Sequence, residues 1–138
     1  MNGSTHVQDL MSTPPVFIDI GAAPSAVQAT LEGNAFHHLP VLDRGVLVGV
    51  VSAVDLARVS LGVWVQDPKT EAAWMDSNFR IADLMTWEPV CCRVDDPVKL
   101  AADKLSDGAF HCLPVLDRED RLVGMLTSTD LLRWMVNS

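Results

Sequence analysis

Basic residues are scarce in this sequence. Ten Lys and Arg stand against eighteen Asp and Glu in 138 residues, so that the formal net charge is −8 and the pI is near 4.7. A protein that binds the phosphate backbone of a nucleic acid needs a basic face. The composition therefore argues against DNA or RNA as a partner, and it leaves room for a local pocket that binds a single nucleotide.

Long apolar segments and disulfide patterns are also missing. No apolar run approaches the roughly 18 residues of a membrane span, and the N-terminus lacks the basic start and apolar stretch of a signal peptide. The cysteines are Cys91, Cys92 and Cys112, an odd number that forms no disulfide framework. We expect a cytoplasmic protein with reduced thiols and no membrane partner.

Catalytic motifs are absent as well. The sequence has neither a P-loop nor a Gly-x-Gly-x-x-Gly motif, and no serine or cysteine of a known nucleophile motif accompanies the histidines. We therefore expect the protein not to be an enzyme. With 49% hydrophobic and 20% charged residues it should fold, either as one ordinary domain or as two small ones around a shared core.

The main positive feature is an internal repeat. Phe36-His-His-Leu-Pro-Val-Leu-Asp43 returns as Phe110-His-Cys-Leu-Pro-Val-Leu-Asp117, and an extra residue after Arg118 brings Asp55 into correspondence with Asp130. The match covers about residues 7–59 and 81–134, which indicates a duplication. We predict a first repeat over 1–60, a linker over 61–79 and a second repeat over 80–138.

Each copy predicts the same elements in the same order. A helical turn (7–11; 81–85) leads to a strand (16–20; 90–94) and to an amphipathic helix whose stripe is clearest at Val98, Ala101, Ala102 and Leu105. Leu-Pro-Val-Leu-Asp-Arg is then a strand with its proline at the start or on an edge. A buried strand (46–51; 121–126) and a last helix, from 52 or 127, complete a β-α-β-β-α unit. The linker holds a short helix around 71–75, and Trp64 and Trp74 are expected to pack on the module.

The ordered motifs resemble those of a known family. Asp-Leu-Met, Pro-Val, Leu-Pro-Val-Leu-Asp, Leu-Val-Gly and Ser/Thr-x-x-Asp-Leu, each found twice, resemble the CBS (cystathionine-beta-synthase) domain in tandem. The resemblance implies an α+β fold of two β-α-β-β-α repeats packed sheet to sheet with pseudo-twofold symmetry. It also implies a regulatory sensor that binds AMP, ADP, ATP or S-adenosylmethionine in clefts between the repeats. No attached domain is evident, so the regulated protein is expected to be another chain, and no obligatory cofactor is expected.

Two Ser/Thr-x-x-Asp motifs, at Ser52–Asp55 and Thr127–Asp130, are typical of helix N-terminal caps. The resemblance adds ligand binding at these four residues, because a helix N-terminus offers free N–H groups and a carboxylate can accept hydrogen bonds from ribose hydroxyls. Thr127-Ser-Thr-Asp130 has more hydroxyls than Ser52-Ala-Val-Asp55. Val54 departs from the basic or polar residue usual in the family, which argues against phosphate binding at the first site.

His37 and His111 correspond across the repeat. The resemblance makes both candidates for a phosphate contact that would strengthen at lower pH, and a histidine at a strand start with no ligand role is an equal alternative. Because arginine is lacking here, the resemblance favours adenosine, AMP or S-adenosylmethionine over a triphosphate. His37, His38, His111 and Cys112 lack the ligand spacing of a structural zinc site, so no metal is expected.

The C-terminal helix, 131–136, is apolar around most of its circumference. Together with Leu56, Val59 and Leu61 it would expose more apolar area than a small module covers, which is typical of an interface. We expect a twofold homodimer through these helices. A rival hypothesis is a ligand-independent interaction or scaffold module, and a third is metal or redox sensing through the histidines and cysteines.

Overall fold

The computed structural model describes residues 5–34, 36–60, 68–108 and 110–138. The chain forms two compact units, and they do not follow the order of the sequence. The first unit is Val16–Glu88, and the second combines the N-terminal segment up to Pro15 with Pro89–Ser138. Within the described ranges no helix has the length and apolar character that crossing a membrane requires.

Over its described residues, the first unit has a four-stranded sheet and four helices. The strand order is β1-β2-β3-β4, with β1 parallel to β2 and the other pairs antiparallel. The strands are β1 (Ile18–Asp19), β2 (His38–Asp43), β3 (Val46–Ser52) and β4 (Thr86–Trp87), and the helices are α1 (Pro24–Glu32), α2 (Ala53–Ser60), α3 (Pro68–Asn78) and α4 (Ile81–Leu84).

The second unit repeats the central part of this arrangement. Its sheet has the order β5-β6-β7, with β5 parallel and β7 antiparallel to β6. The strands are β5 (Cys92–Arg93), β6 (Cys112–Leu116) and β7 (Leu122–Thr127), the helices are α5 (Val98–Leu105) and α6 (Ser128–Val136), and a 3-10 turn covers Val7–Asp9. The predicted α+β class and the doubled β-α-β-β-α order are confirmed.

The hairpin turns explain why the second copy is one residue longer. Arg44 and Gly45 both have positive φ, 52° and 81°, and join β2 to β3 as a two-residue turn of the kind that suits a twisted hairpin. The second hairpin is longer, and the Asp117 carboxylate accepts bonds from the N–H groups of Glu119 and Arg121, each 2.9 Å long. These two bonds and the Arg121 guanidinium hold the pKa of Asp117 below its usual value.

The prolines of β2 and β6 agree with the prediction of a strand start or an edge position, although the two strands are central in their sheets. Pro40 pairs with Val50 and Pro114 with Met125, and each is the third residue of its strand. The pairing with β1 begins only at Val41. At Pro40, β2 is therefore paired with β3 alone. The proline lies outside the two residues of β2 that are paired on both sides, so its missing N–H costs no hydrogen bond to β1.

The first strand of each copy is shorter than predicted, with two residues in place of five. The β2–β3 ladder shifts its register between Val41 and Leu42, and these are the two residues that pair with β1. A bulge bends the strand and disrupts pairing locally. The parallel ladder between β1 and β2 is consequently confined to two residue pairs. In the second unit, β6 shifts its register between Val115 and Leu116, and these are the two residues that pair with β5.

Each unit receives a segment that the sequence assigns to the other repeat. The Val7 N–H donates to the Asp96 carbonyl at 2.9 Å, and Ser12 exchanges two backbone hydrogen bonds with Met125, at 2.8 and 3.1 Å. In the first unit, β4 pairs with β3. The predicted boundaries, 1–60, 61–79 and 80–138, describe the duplication in sequence, whereas contacts in space divide the chain near residues 15 and 88.

The linker helix is present and longer than predicted. α3 covers the expected 71–75 and packs on α1 and α2. Met75 is buried in the core of the first unit. Trp74 makes an edge-to-face contact with Phe79 at a centroid distance of 5.8 Å, as expected of a packing residue. Trp64 lies outside the described residues.

The predicted apolar interface needs correction. Leu56 and Leu131 are buried in the cores of their own units, and Val59 packs against the first core. Leu61 lies outside the described residues. The face that α6 does expose carries Leu132, Met135 and Val136, spaced as one helical stripe.

Candidate functional site

Both predicted N-terminal caps are present. In α6 the Asp130 N–H donates to Thr127 Oγ1 at 3.1 Å, and the Thr127 N–H donates to Asp130 Oδ2 at 2.9 Å. In α2 the same two bonds join Ser52 and Asp55, at 3.2 and 2.8 Å. The reciprocal bonds satisfy two helix N–H groups and fix both carboxylates at the positive end of a helix. The capping predictions are confirmed.

The second oxygen of each carboxylate has a different environment. Asp55 Oδ1 lies 3.8 Å from Arg58 Nη1. Arg133 holds the corresponding position in α6, and among the described residues it makes no ion pair with Asp130. Asp130 Oδ1 likewise accepts no hydrogen bond from that part of the chain. Among the described residues, one carboxylate oxygen of Asp130 therefore has no partner, whereas the equivalent oxygen of Asp55 faces a cation.

The two histidines stand at the starts of strands, as predicted. The Ala53 N–H donates to the His37 carbonyl and the Ser128 N–H to the His111 carbonyl, each at 3.1 Å. Both histidines are exposed. In each unit this bond joins the backbone of the histidine to the first residue of the capped helix, so the histidine and the two cap residues lie at the same end of the sheet.

Apolar residues at the same end were missed by the sequence reasoning. Because β5 runs parallel to β6, the residues before β5 lie at the end where β6 begins. Val90 there is 42% exposed, and Val16 and Phe17 before β1 are 42% and 53% exposed. The sequence predicts a strand over 16–20 and 90–94 and gives these residues no further role, although the recurrence of the Pro-Val motif could have indicated one. In each unit, exposed apolar side chains and a capped carboxylate thus lie at the same end of the sheet.

Lys104 is another residue that the sequence reasoning missed. Its ammonium donates to the Cys91 carbonyl at 2.7 Å and so braces the segment that leads into β5. The corresponding Thr30 donates to Ala26 within its own helix, at 2.8 Å. The helical spacing could have indicated this contact, because it places Lys104 next to the buried face of α5 that carries Ala101 and Leu105.

The thiols and the histidines offer little support for metal or redox sensing. Burial raises the pKa of Cys92 to about 12 and that of Cys112 to about 11, and it also raises the pKa of Cys91. Near neutral pH these groups are thiols, and the thiolate is the reactive form. In the part of the chain that the structure describes, no three His, Cys, Asp or Glu side chains come together as a metal site.

Curated proteins similar to this chain include longer enzymes and a protein of similar length. Over 130 residues the chain is 30% identical to L-aspartate semialdehyde sulfurtransferase of Methanocaldococcus jannaschii. The matching region covers 94% of this chain and 23% of that protein. Over 131 residues it is 28% identical to a CBS domain-containing protein of Dictyostelium discoideum, covering 94% of this chain and 90% of that one. The chain thus spans about a quarter of the length of the enzyme relatives.

Solved structures of CBS-domain pairs have the same fold. The CBS domain pair of protein MJ0100, in complex with 5′-methylthioadenosine and S-adenosyl-L-methionine, is 28% identical, with a TM-score of 0.78 and coverage of 96% of this chain and 97% of that one. CBSX2 in complex with AMP is 26% identical, with a TM-score of 0.77 and coverage of 96% of both chains. The model of the CBS-domain family matches residues 7–62 and 81–137. This chain therefore belongs to the CBS-domain family and carries the domain twice.

Proposed function

We propose that this chain is a non-enzymatic regulatory module of the cytoplasm that binds an adenosine-containing ligand and signals to a partner protein. The ligand is AMP, ADP, ATP or S-adenosylmethionine, and its site includes Thr127 and Asp130, with Ser52, Asp55, His111 and His37 as further candidates. The three free thiols support a reducing compartment.

The similar structures support the class of ligand. The CBS pair of protein MJ0100 binds 5′-methylthioadenosine and S-adenosyl-L-methionine, and CBSX2 binds AMP. Each covers nearly the whole of this chain. The shared part of these ligands is adenosine, which has an apolar base and a vicinal diol. The enzyme relatives are about four times longer than the matching region, so their reactions are not assigned to this chain.

The observation that carries the proposal is the Asp130 carboxylate. Its Oδ2 is held by the Thr127 N–H, and its Oδ1 accepts no hydrogen bond within the described residues, so it can accept one from a ligand. A carboxylate accepts well from hydroxyl groups, and bonds to a charged acceptor are stronger than neutral ones. The exposed Val90 at the same end of the sheet supplies an apolar neighbour for a base.

The proposed signal is a ligand-dependent change of conformation. A ligand can shift such an equilibrium only by its differential affinity for the two states. The exposed stripe on α6, Leu132, Met135 and Val136, supports a protein interface. We propose that it joins two copies of the chain in a homodimer, and that the regulated partner recognises one state of this dimer.

The test is calorimetric titration of nucleotide-free protein with AMP, ADP, ATP and S-adenosylmethionine, with GTP as a control. The informative variant is Asp130→Asn. The amide oxygen can still accept the Thr127 N–H, so the cap persists, while the amide nitrogen can no longer accept from a ribose hydroxyl. We expect binding of at least one adenosine ligand and a loss of affinity of about tenfold or more in the variant.

A matched control is Asp83→Asn. Asp83 caps α4 in the same way, with the Arg80 N–H donating to its Oδ2 at 2.9 Å. This variant removes the same charge and should bind as the wild type does. If no adenosine ligand binds at millimolar concentration, the sensor proposal is wrong.

The alternative function is a ligand-independent interaction or scaffold module, which the apolar stripe on α6 favours. Under that alternative, Asp130→Asn leaves self-association and partner binding unchanged, while Met135→Asp abolishes them. Analytical ultracentrifugation of both variants, with and without ligand, separates the two functions. Association that responds to ligand in the wild type and not in Asp130→Asn supports the sensor.

A further inference from the structure

We propose that the two pseudo-equivalent sites are unequal, and that the chain binds one ribonucleoside ligand, at Asp130, while the Asp55 site is structural. This inference rests on the proposed function. It is carried by three differences between α2 and α6 and the segments beside them, each seen within a single unit.

The first difference is the charge facing the carboxylate. The Arg58 guanidinium lies 3.8 Å from Asp55 Oδ1, the one oxygen that the cap leaves unbonded. A ligand hydroxyl at Asp55 must share this oxygen with a cation. An exposed ion pair of this kind is weak, so competition with it lowers ligand affinity by about fivefold at most. Within the described residues Asp130 has no such competitor.

The second difference is the supply of hydroxyl groups in the first turn. Ser128 and Thr129 follow the cap of α6, where α2 has Ala53 and Val54. Val54 is 59% exposed, so an apolar group meets solvent at the place where Thr129 offers a donor and acceptor. The Ser128 hydroxyl reaches the His111 carbonyl only at 3.5 Å. Loss of one or two hydrogen bonds to a ligand lowers its affinity by about tenfold.

The third difference is the brace beside the sheet end. The Lys104 ammonium donates a hydrogen bond to the Cys91 carbonyl at 2.7 Å, and this bond fixes the segment that carries Val90. In the first unit Thr30 bonds within its own helix, and within the described residues no side chain takes the place of Lys104. A site whose walls are fixed before binding loses less entropy when the ligand arrives. All three differences favour a higher ligand affinity at the Asp130 site than at the Asp55 site.

The test measures stoichiometry per chain by equilibrium dialysis of the full chain with AMP and, separately, S-adenosylmethionine. We expect one ligand per chain in the wild type. Asp130→Asn should weaken binding by about tenfold or more. Asp55→Asn tests the first site, and Asp83→Asn, which removes a charge outside both sites, is the control expected to bind as the wild type does. The double variant Arg58→Ala/Val54→Thr should gain a second, weaker site, because it gives the first unit the free oxygen and the hydroxyl of the second.

The outcomes separate the inference from the function on which it rests. Two equal sites per chain, or a loss of binding in Asp55→Asn with Asp130→Asn unaffected, would overturn the inference and leave the adenosine sensor standing. Absence of binding by AMP, ADP, ATP and S-adenosylmethionine in the wild type would overturn both proposals. Far-UV circular dichroism of each variant checks that the total helix content stays that of the wild type.

Discussion

At the scale of single residues, the glycine of each Leu-Val-Gly motif makes room for a methionine from the other repeat. A Cβ on Gly49 would lie 2.5 Å from Met85 Sδ and 2.8 Å from the Thr86 carbonyl. A Cβ on Gly124 would lie 2.6 Å from Met11 Sδ and 3.0 Å from the backbone of Ser12. The Asp-Leu-Met and Leu-Val-Gly motifs, which appear separate in the sequence, are therefore two sides of one contact.

The prediction at this scale is that Gly49→Ala destabilises the protein. The methionine side chain can move, but the Thr86 carbonyl belongs to the paired strand β4 and cannot withdraw without breaking the ladder. Overpacking of this kind costs about 1–3 kcal/mol. Urea unfolding followed by tryptophan fluorescence measures it, and Gly124→Ala should cost less because its backbone contact is longer.

Gly33→Ala is the control for these variants. Gly33 ends α1 with a φ of −80°, and a Cβ there would meet atoms no closer than 3.7 Å. Its free energy of unfolding should stay within about 0.5 kcal/mol of the wild type, as for an ordinary surface change. If Gly49→Ala is no less stable than Gly33→Ala, the close approach of Met85 and Thr86 does not limit residue 49.

At the scale of elements, α3 supplies the cap that α1 lacks. The N-terminal cap position of α1 is Ala23, which has no polar side chain. Asp76 of α3 takes its place: its Oδ1 accepts from the Ser25 N–H at 2.8 Å and its Oδ2 from the Ser25 hydroxyl at 2.5 Å. The carboxylate also lies at the positive end of the α1 dipole. The linker helix is thus fixed to the first unit by a hydrogen-bonded clamp.

We expect Asp76→Ala to destabilise the protein by about 1–2 kcal/mol, the usual cost of losing a cap. Ser25→Ala should cost less, because the N–H of residue 25 keeps its acceptor. Ser77→Ala changes an exposed neighbour on the same helix and is the control. Urea unfolding followed by far-UV circular dichroism gives the three values. Equal stability of Asp76→Ala and Ser77→Ala would mean that the clamp adds nothing.

The elements also show how far sequence reasoning reaches. Both caps could be predicted, because Thr127 and Asp130 bond to each other within one helical turn. The doubled helices and longer strands follow from local periodicity. The pairing of Ser12 with Met125 could not be predicted, since periodicity carries no information about which distant segment meets a strand edge. The contacts of Arg58 and Lys104 also could not be predicted. They depend on the conformation of long side chains, and sequence spacing does not determine that conformation.

At the scale of the whole molecule, the repeats exchange their first segments. Val7 is fully buried in the core of the second unit, with Leu113, Val115 and Leu126. Val27 is equally buried in the core of the first unit. Both valines belong to the first repeat by sequence. A boundary drawn from the sequence would assign them to one domain, whereas the compact units assign them to different ones.

The last prediction uses this difference. Val7→Ala and Val27→Ala each remove two buried methyl groups and should cost about 2 kcal/mol. Amide hydrogen exchange under native conditions reports local openings, so the loss should appear in the unit that holds the altered core. We expect Val7→Ala to speed exchange mainly in β5–β7 and Val27→Ala mainly in β1–β3. Faster exchange in β1–β3 for both variants would instead support a folding unit with the boundaries of the first repeat, because residue 7 would then stabilise the strands that follow it in sequence.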